Sequence, residues 1–184
     1  MRRRGTLFVV SAPSGAGKTT LCREMRLRLP DLAYSVSVTT EFRAMLARGE
    51  FAEWATVHGH LYGTRARALE ESLGAGHDVL LDIDTQGAAQ LRARYPEAVL
   101  VFIVAPSVKE LEQRLRERRS DAEAEIRRRL ARAREEIALW RRYDYLIVNR
   151  DVKEAMEQLA AIIQAERCRT SRLSLTFPDL EVSE

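Results

Sequence analysis

The segment Ser11-Ala12-Pro13-Ser14-Gly15-Ala16-Gly17-Lys18-Thr19-Thr20 constrains the fold more than any other stretch of the chain. Ahead of it stands Leu7-Phe8-Val9-Val10, a continuous apolar run bounded by Gly5, which is how a strand buried on both faces of a parallel sheet reads. Behind it, Leu21, Met25 and Leu29 recur at helical spacing until Pro30 ends the pattern. Strand, glycine-rich loop and helix, in that order, form the setting of a phosphate-binding loop. Glycine lets backbone N–H groups turn toward phosphate oxygens with no Cβ in the way, and the helix N-terminus adds its dipole. Ala12, Pro13, Ser14, Gly15, Ala16, Gly17, Lys18, Thr19 and Thr20 are therefore the expected cradle of a nucleoside triphosphate. Lys18 would reach the β- and γ-phosphates, and the Thr19 hydroxyl would ligate Mg²⁺. The strict pattern has glycine where Ala12 stands. The competing reading is a glycine-rich turn with an incidental lysine. It sits badly with a chain whose only lysines are Lys18, Lys109 and Lys153.

Further apolar runs, Val79–Ile83, Val99–Val104 and Tyr145–Val148, predict buried strands. Helical patterns separate them over 66–73, 87–94, 108–117, 122–141 and 152–167. Strands alternating with helices predict an α/β fold with a mainly parallel sheet. The 184 residues suit one domain, and 46% hydrophobic with 31% charged residues is an ordinary globular balance. A net charge of +3 favours anionic ligands without choosing among them. Cys22 and Cys168 lack metal-type spacing and read as free thiols. No segment has the length of a signal peptide or a membrane span, so the expected location is cytoplasmic, with no membrane or nucleic-acid partner. His58 and His60 flank Gly59 and read as a polar loop before a metal pair, His77 as unrelated, and Trp54 and Trp140 as packing residues. The tail beyond Arg169 is polar and expected to be loosely held. One junction is abrupt. Tyr34–Val38 reads as a strand, yet Thr39-Thr40 runs directly into the helical pattern Glu41–Leu46 with no turn residue between.

With the loop placed, Ser35-Val36-Ser37-Val38-Thr39-Thr40, Gly49-Glu50-Phe51-Ala52-Glu53-Trp54, Tyr62-Gly63-Thr64, Leu81-Asp82-Ile83-Asp84-Thr85-Gln86-Gly87 and Tyr143-Asp144-Tyr145-Leu146-Ile147-Val148-Asn149 follow in order. In this order the chain, from Gly5 to about Arg172, resembles the guanylate kinases of the nucleoside-monophosphate kinase group, whose loop commonly has alanine at the place of Ala12. The resemblance implies a P-loop core (about 1–35, 76–113 and 132–168), a GMP-binding lobe (about 36–75) and a helical lid (about 114–131). It implies MgATP-dependent phosphorylation of GMP, with dGMP as a second substrate and ATP and GMP as the small-molecule partners. On the matching positions it assigns the base and acceptor phosphate to Ser37, Glu53, Tyr62, Thr64 and Asp84. It assigns the transferring phosphoryl group to Lys18, Arg114, Arg118 and Arg129, and a water-mediated metal contact to Asp82. The chemistry agrees: guanine presents two donors on one edge, which a carboxylate such as Glu53 accepts together, while adenine reverses the pattern. Without the resemblance, Glu53 reads as a solvated helix charge, Tyr62 and Thr64 as turn residues, Asp82 and Asp84 as strand-end caps, and the arginines as a solvated face. A phosphorylated-sugar kinase on the same core and a non-catalytic binding module stay open as alternatives. The family also carries, after its two threonines, a segment with two arginines and a tyrosine that grip the GMP phosphate. None of it stands between Thr40 and Glu41, where the length falls short by about 20 residues. The expectation is a mobile stretch lost from the chain as read.

Overall fold

A computed structural model describes residues 3–34, 41–57, 60–117 and 122–173. Five strands, β1 (Leu7–Ser11), β2 (Ala33–Tyr34), β5 (Val79–Asp82), β6 (Val99–Val104) and β7 (Tyr145–Val148), form one parallel sheet in the order β2-β5-β1-β6-β7. The remaining two, β3 (Phe51–Val57) and β4 (His60–Arg65), pair antiparallel in a separate hairpin. Helices α1 (Lys18–Arg28), α2 (Phe42–Ala47), α3 (Ala66–Gly74), α4 (Thr85–Arg94), α5 (Val108–Glu117), α6 (Glu123–Ile137) and α7 (Val152–Arg167) complete the described fold.

The apolar run of β1 is continuous because both faces of the sheet are covered. Phe8 and Val10 point into a cluster with Leu21, Cys22 and Met25 of α1 and Ala155, Leu159 and Ile163 of α7. Leu7 and Val9 point into a second cluster with Leu69 and Leu73 of α3 and Ala88 and Leu91 of α4. Each leucine, isoleucine, valine, phenylalanine or methionine among them, withdrawn fully from water, contributes about 1.5–3 kcal/mol. A third, small cluster of Phe42, Met45 and Phe51 supports the hairpin. At the far end of the sheet from the glycine-rich loop, Asp78 is fully buried between Arg3 and Arg167 and accepts from the Thr6 N–H. Burial opposes its ionisation. The hydrogen bonds from Arg3, Thr6 and Arg167 outweigh it and hold the carboxyl below its ordinary value.

The parallel α/β core stands as the sequence pattern predicts, with five departures. Strand β2 is only Ala33–Tyr34, and Ser35–Thr40 lie outside the described residues. The hairpin has no counterpart in the expected elements. Its alternation is broken by a register shift between Phe51 and Glu53 and by Gly63, where a Cβ would meet the Phe51 ring at 2.8 Å. Helix α6 stops at Ile137 instead of Arg141. The chain turns there through Trp140–Arg142 to bring Tyr143 against Phe102, with ring centroids 4.8 Å apart. Trp54 and Trp140 are 37% and 39% exposed, so neither is a core residue. Trp54 sets its ring edge against Phe42, and Arg141 lies over Trp140. The start of the tail is tied down: Arg172 donates to the Glu97 carbonyl at 2.8 Å and sits 3.2 Å from Glu166. Residues 174–184 lie outside the described residues. Cys22 and Cys168 are free, and burial pushes the Cys22 thiol up to about 12, which keeps it protonated and inert. Among the described residues, no helix is long and apolar enough to cross a membrane.

Candidate functional site

The loop 12–17 leaves β1 at the centre of the sheet, where its neighbours β5 and β6 run in parallel on either side. Ligand sites of open parallel sheets form at such carboxyl ends. Gly15 and Gly17 adopt φ values of 91° and 93°, a region that residues with a Cβ rarely enter. A Cβ on Gly17 would also stand 2.3 Å from the Asn149 amide nitrogen. Helix α1 begins at Lys18 with no side-chain cap and no acidic residue in its first turn, so its N-terminal dipole is left for an anion. Thr19 and Thr20 are exposed at that end, and Ala12, Pro13, Ser14 and Ala16 complete the loop.

Lys18 is paired with Asp82 at the end of β5, and its ammonium donates to the Ile83 carbonyl at 3.1 Å. Asp84 follows directly. One of its oxygens, Oδ1, caps α4 by accepting from Gln86 and Gly87, while Oδ2 is buried without a hydrogen-bond partner. Asp82 therefore closes β5 and Asp84 caps α4 just beyond it, as expected of strand-end residues. Next to Asp84 stands Glu53, only 4% exposed, accepting from the Thr64 hydroxyl at 2.7 Å. Burial raises the Glu53 carboxyl above its ordinary value. The Thr64 hydroxyl works against that rise and the charge of Asp84 adds to it. Glu53 is thus neither helical nor solvated, and Tyr62 and Thr64 lie within a strand instead of a turn. Tyr62 pairs opposite Ala55, two steps along the hairpin from the Glu53–Thr64 pair, and is 37% exposed. The short stretch Asp82-Ile83-Asp84 therefore joins a cationic, phosphate-type half-site to a carboxylate half-site.

Of the expected lid arginines, Arg114 reaches the Asn149 carbonyl at 3.0 Å and pairs with Glu110, which sets it beside Asn149. Arg129 pairs with Glu125 on its own helix. Arg118 and Ser37 lie outside the described residues, as do His58 and the His60 side chain. A residue that sequence reasoning passed over is Arg132, on α6, which bonds Glu136 at 2.9 Å and comes within 3.6 Å of Asp84. A second is Asn149, 1% exposed, which donates to the Ala16 carbonyl at 2.8 Å and so holds the loop from behind. Its position at the end of β7 was the available signal, since loops after parallel strands carry the ligand contacts. Burial pushes the nearby Tyr143 phenol up to about 12, so it stays protonated beside Ser11. Among the described residues no group of three or more His, Cys, Asp or Glu could hold a metal ion.

The family model described as guanylate kinase matches residues 34–166. A guanylate kinase of Syntrophotalea carbinolica is 49% identical over 192 residues, covering 94% of this chain and 91% of the relative. One of Geobacter metallireducens is 48% identical over 198 residues, covering 97% and 98%. Both alignments are longer than the chain's 184 residues, so they include positions at which it has no residue. Among solved structures, a guanylate kinase from Anaplasma phagocytophilum superposes with a TM-score of 0.73 at 28% identity, covering 94% of this chain and 91% of that one. An uncapped helix behind a glycine loop, a carboxylate half-site one strand end away and these three matches lead to one conclusion: the chain belongs to the guanylate kinase family.

Proposed function

We propose that the protein transfers the γ-phosphoryl group of MgATP to GMP, giving ADP and GDP, and accepts dGMP as a second substrate. The observation that carries this reading is the buried Glu53 carboxylate, set by Thr64 and adjacent to Asp84, whose buried Oδ2 accepts no hydrogen bond and has only the Arg132 guanidinium at 3.6 Å. Guanine has donors at N1 and at its exocyclic amine, and buried acceptors without donors of their own are what that edge satisfies. Adenine would leave them unpaired, which is the larger source of discrimination. Family membership and the fold support the same assignment.

In this reading the loop's N–H groups and α1 hold the β- and γ-phosphates, and Lys18 leaves Asp82 for the moving phosphoryl group. A GMP phosphate oxygen attacks the γ-phosphorus in line, with no covalent intermediate. Tyr62 contacts the acceptor phosphate. Arg114, Arg118 and Arg129 close from a lid near 114–131 over a lobe near 36–75, excluding water. Thr19 and, through water, Asp82 are hard oxygen donors too few for a standing metal site but suited to Mg²⁺ arriving on phosphates. When bound, Mg²⁺ neutralises charge on the β- and γ-oxygens. We further infer that the segment expected between Thr40 and Glu41 exists in the whole protein, because the grip on the GMP phosphate needs more positive charge than Tyr62 supplies. An intact mass of 21.0 kDa would overturn it. If the segment were truly absent, GMP would bind poorly, because Tyr62 alone does not neutralise a dianion.

An ADP-release assay with MgATP and GMP, AMP, CMP, UMP or ribose phosphate tests the function. GMP is expected to give the dominant rate. Turnover with ribose phosphate in preference to GMP, or no turnover with GMP in the full-length protein, refutes it.

A further inference from the structure

Glu53 sits in an irregular part of β3. The register shift between Phe51 and Glu53 interrupts the pairing with β4 beside the carboxylate, and a bulge of this kind re-aims side chains while leaving backbone groups without ladder partners. Among the described residues β3 pairs only with β4, and backbone groups on its open edge are taken up by one helix of the core. Arg94 of α4 donates to the Phe51 carbonyl at 2.9 Å. The Gln90 side chain accepts from the Trp54 N–H at 3.1 Å and donates to the Trp54 carbonyl at 2.8 Å, replacing a strand partner on both counts. Gly87 completes the row. A Cβ built there would stand 2.6 Å from Glu53 Oε2 and 3.2 Å from Ile83 Cδ1, so the carboxylate occupies the space a side chain would need. Gly87, Gln90 and Arg94 are three and four residues apart and therefore share one face of α4.

We propose that this face of α4 is the seat that aims Glu53, with Gly87 and Gln90 as positioning residues that set discrimination for the guanine base. The hydrogen bonds grip the backbone on either side of Glu53, and the missing side chain at Gly87 admits the carboxylate against the first turn of the helix. There the helix dipole favours the ionised form that burial opposes. The proposal rests on the reading that Glu53 recognises guanine.

The test measures kcat and KM for GMP, for ATP and for inosine monophosphate, which lacks the exocyclic amine. The proteins are the full-length enzyme and its Gly87→Ala, Gln90→Ala and Glu53→Gln variants, each with a melting curve. Gly87→Ala is expected to raise KM for GMP about tenfold and to shrink the GMP-over-IMP preference by a similar factor, with KM for ATP within about twofold of the parent. Gln90→Ala should move the same two quantities about threefold. Adding Glu53→Asp to Gly87→Ala withdraws the carboxylate by one methylene and should recover part of the preference. If Glu53→Gln collapses the preference while Gly87→Ala and Gln90→Ala leave it unchanged, the seat is overturned and the base reading stands. If both positioning variants change KM for ATP as much as KM for GMP, their role is structural only and the proposal fails. If Glu53→Gln itself leaves the preference intact, the base reading fails and takes the proposal with it. Should Gly87→Ala not fold, Gln90→Ala decides the matter.

Discussion

The phosphate loop and the Glu53 pocket lie at opposite ends of Asp82-Ile83-Asp84, yet they are built in opposite ways. The loop is a run of consecutive residues whose backbone faces the ligand. Gly15 and Gly17 supply the positive φ values, and α1 is left uncapped. The pocket collects Glu53 from β3, Thr64 from β4, Asp84 from the end of β5 and the seat on α4, and its side chains face the ligand. A backbone site tolerates change in side chains that neither meet the phosphates, as Lys18 does, nor disturb its φ values. A side-chain site fails when one supporting group moves.

That contrast yields tests in descending order of effect. Lys18→Ala should lower kcat about 10²–10³-fold, since it removes the charge that meets the moving phosphoryl group. GMP affinity should change little in a direct binding titration, and a parallel loss there would show that the two halves are not separable. Asp78→Asn strips the shared frame instead, leaving Arg3 and Arg167 without their buried partner. Both arginines are partly exposed, so the loss is about 2–3 kcal/mol in a denaturant titration, with KM for both nucleotides unchanged. The Asp78 carboxyl is held below its ordinary value, so its stabilisation is complete above the unfolded pKa. It is lost as pH falls through the lowered folded one. Gly17→Ala forces a left-handed φ on a residue with a Cβ and drives that Cβ into Asn149. ATP affinity should fall about tenfold or more while GMP affinity holds, as a titration of each ligand would show. The smallest effect is in pH. The Glu53 carboxyl is raised by burial and must be ionised to accept both guanine donors, so GMP binding should begin to weaken above the pH at which an ordinary carboxylate titrates. A rise in KM for GMP of about threefold on the acid side, absent from Glu53→Gln, is expected.

The same contrast explains what could be read from the chain before folding. The loop and the strands β1, β5, β6 and β7 were legible because their signals are local: a glycine pattern after an apolar run, and apolar runs buried on both faces. The β3–β4 hairpin was not. Its alternation is broken at Phe51–Glu53, and it buries a carboxylate that composition places in solvent. Glu53, Thr64 and Asp84 entered the expected site only through family resemblance, and the geometry now supplies a reason for each. Gln90 and Arg94 gave no sign, because polar residues on a helix read as exposed until the partner strand is known. Arg132 was hidden among the arginines of α6 for the same reason, since only the fold shows which of them faces Asp84.

The claim that base recognition rests first on the Glu53 carboxylate, apart from the triphosphate site, is tested most directly by titrating Glu53→Gln separately with GMP and with a non-hydrolysable MgATP analogue. GMP should bind about 10²-fold more weakly than to the parent protein, because one buried acceptor becomes a donor facing donors, with the ATP analogue within about twofold. Equal weakening of both ligands, or GMP binding at the parent's affinity, would contradict it.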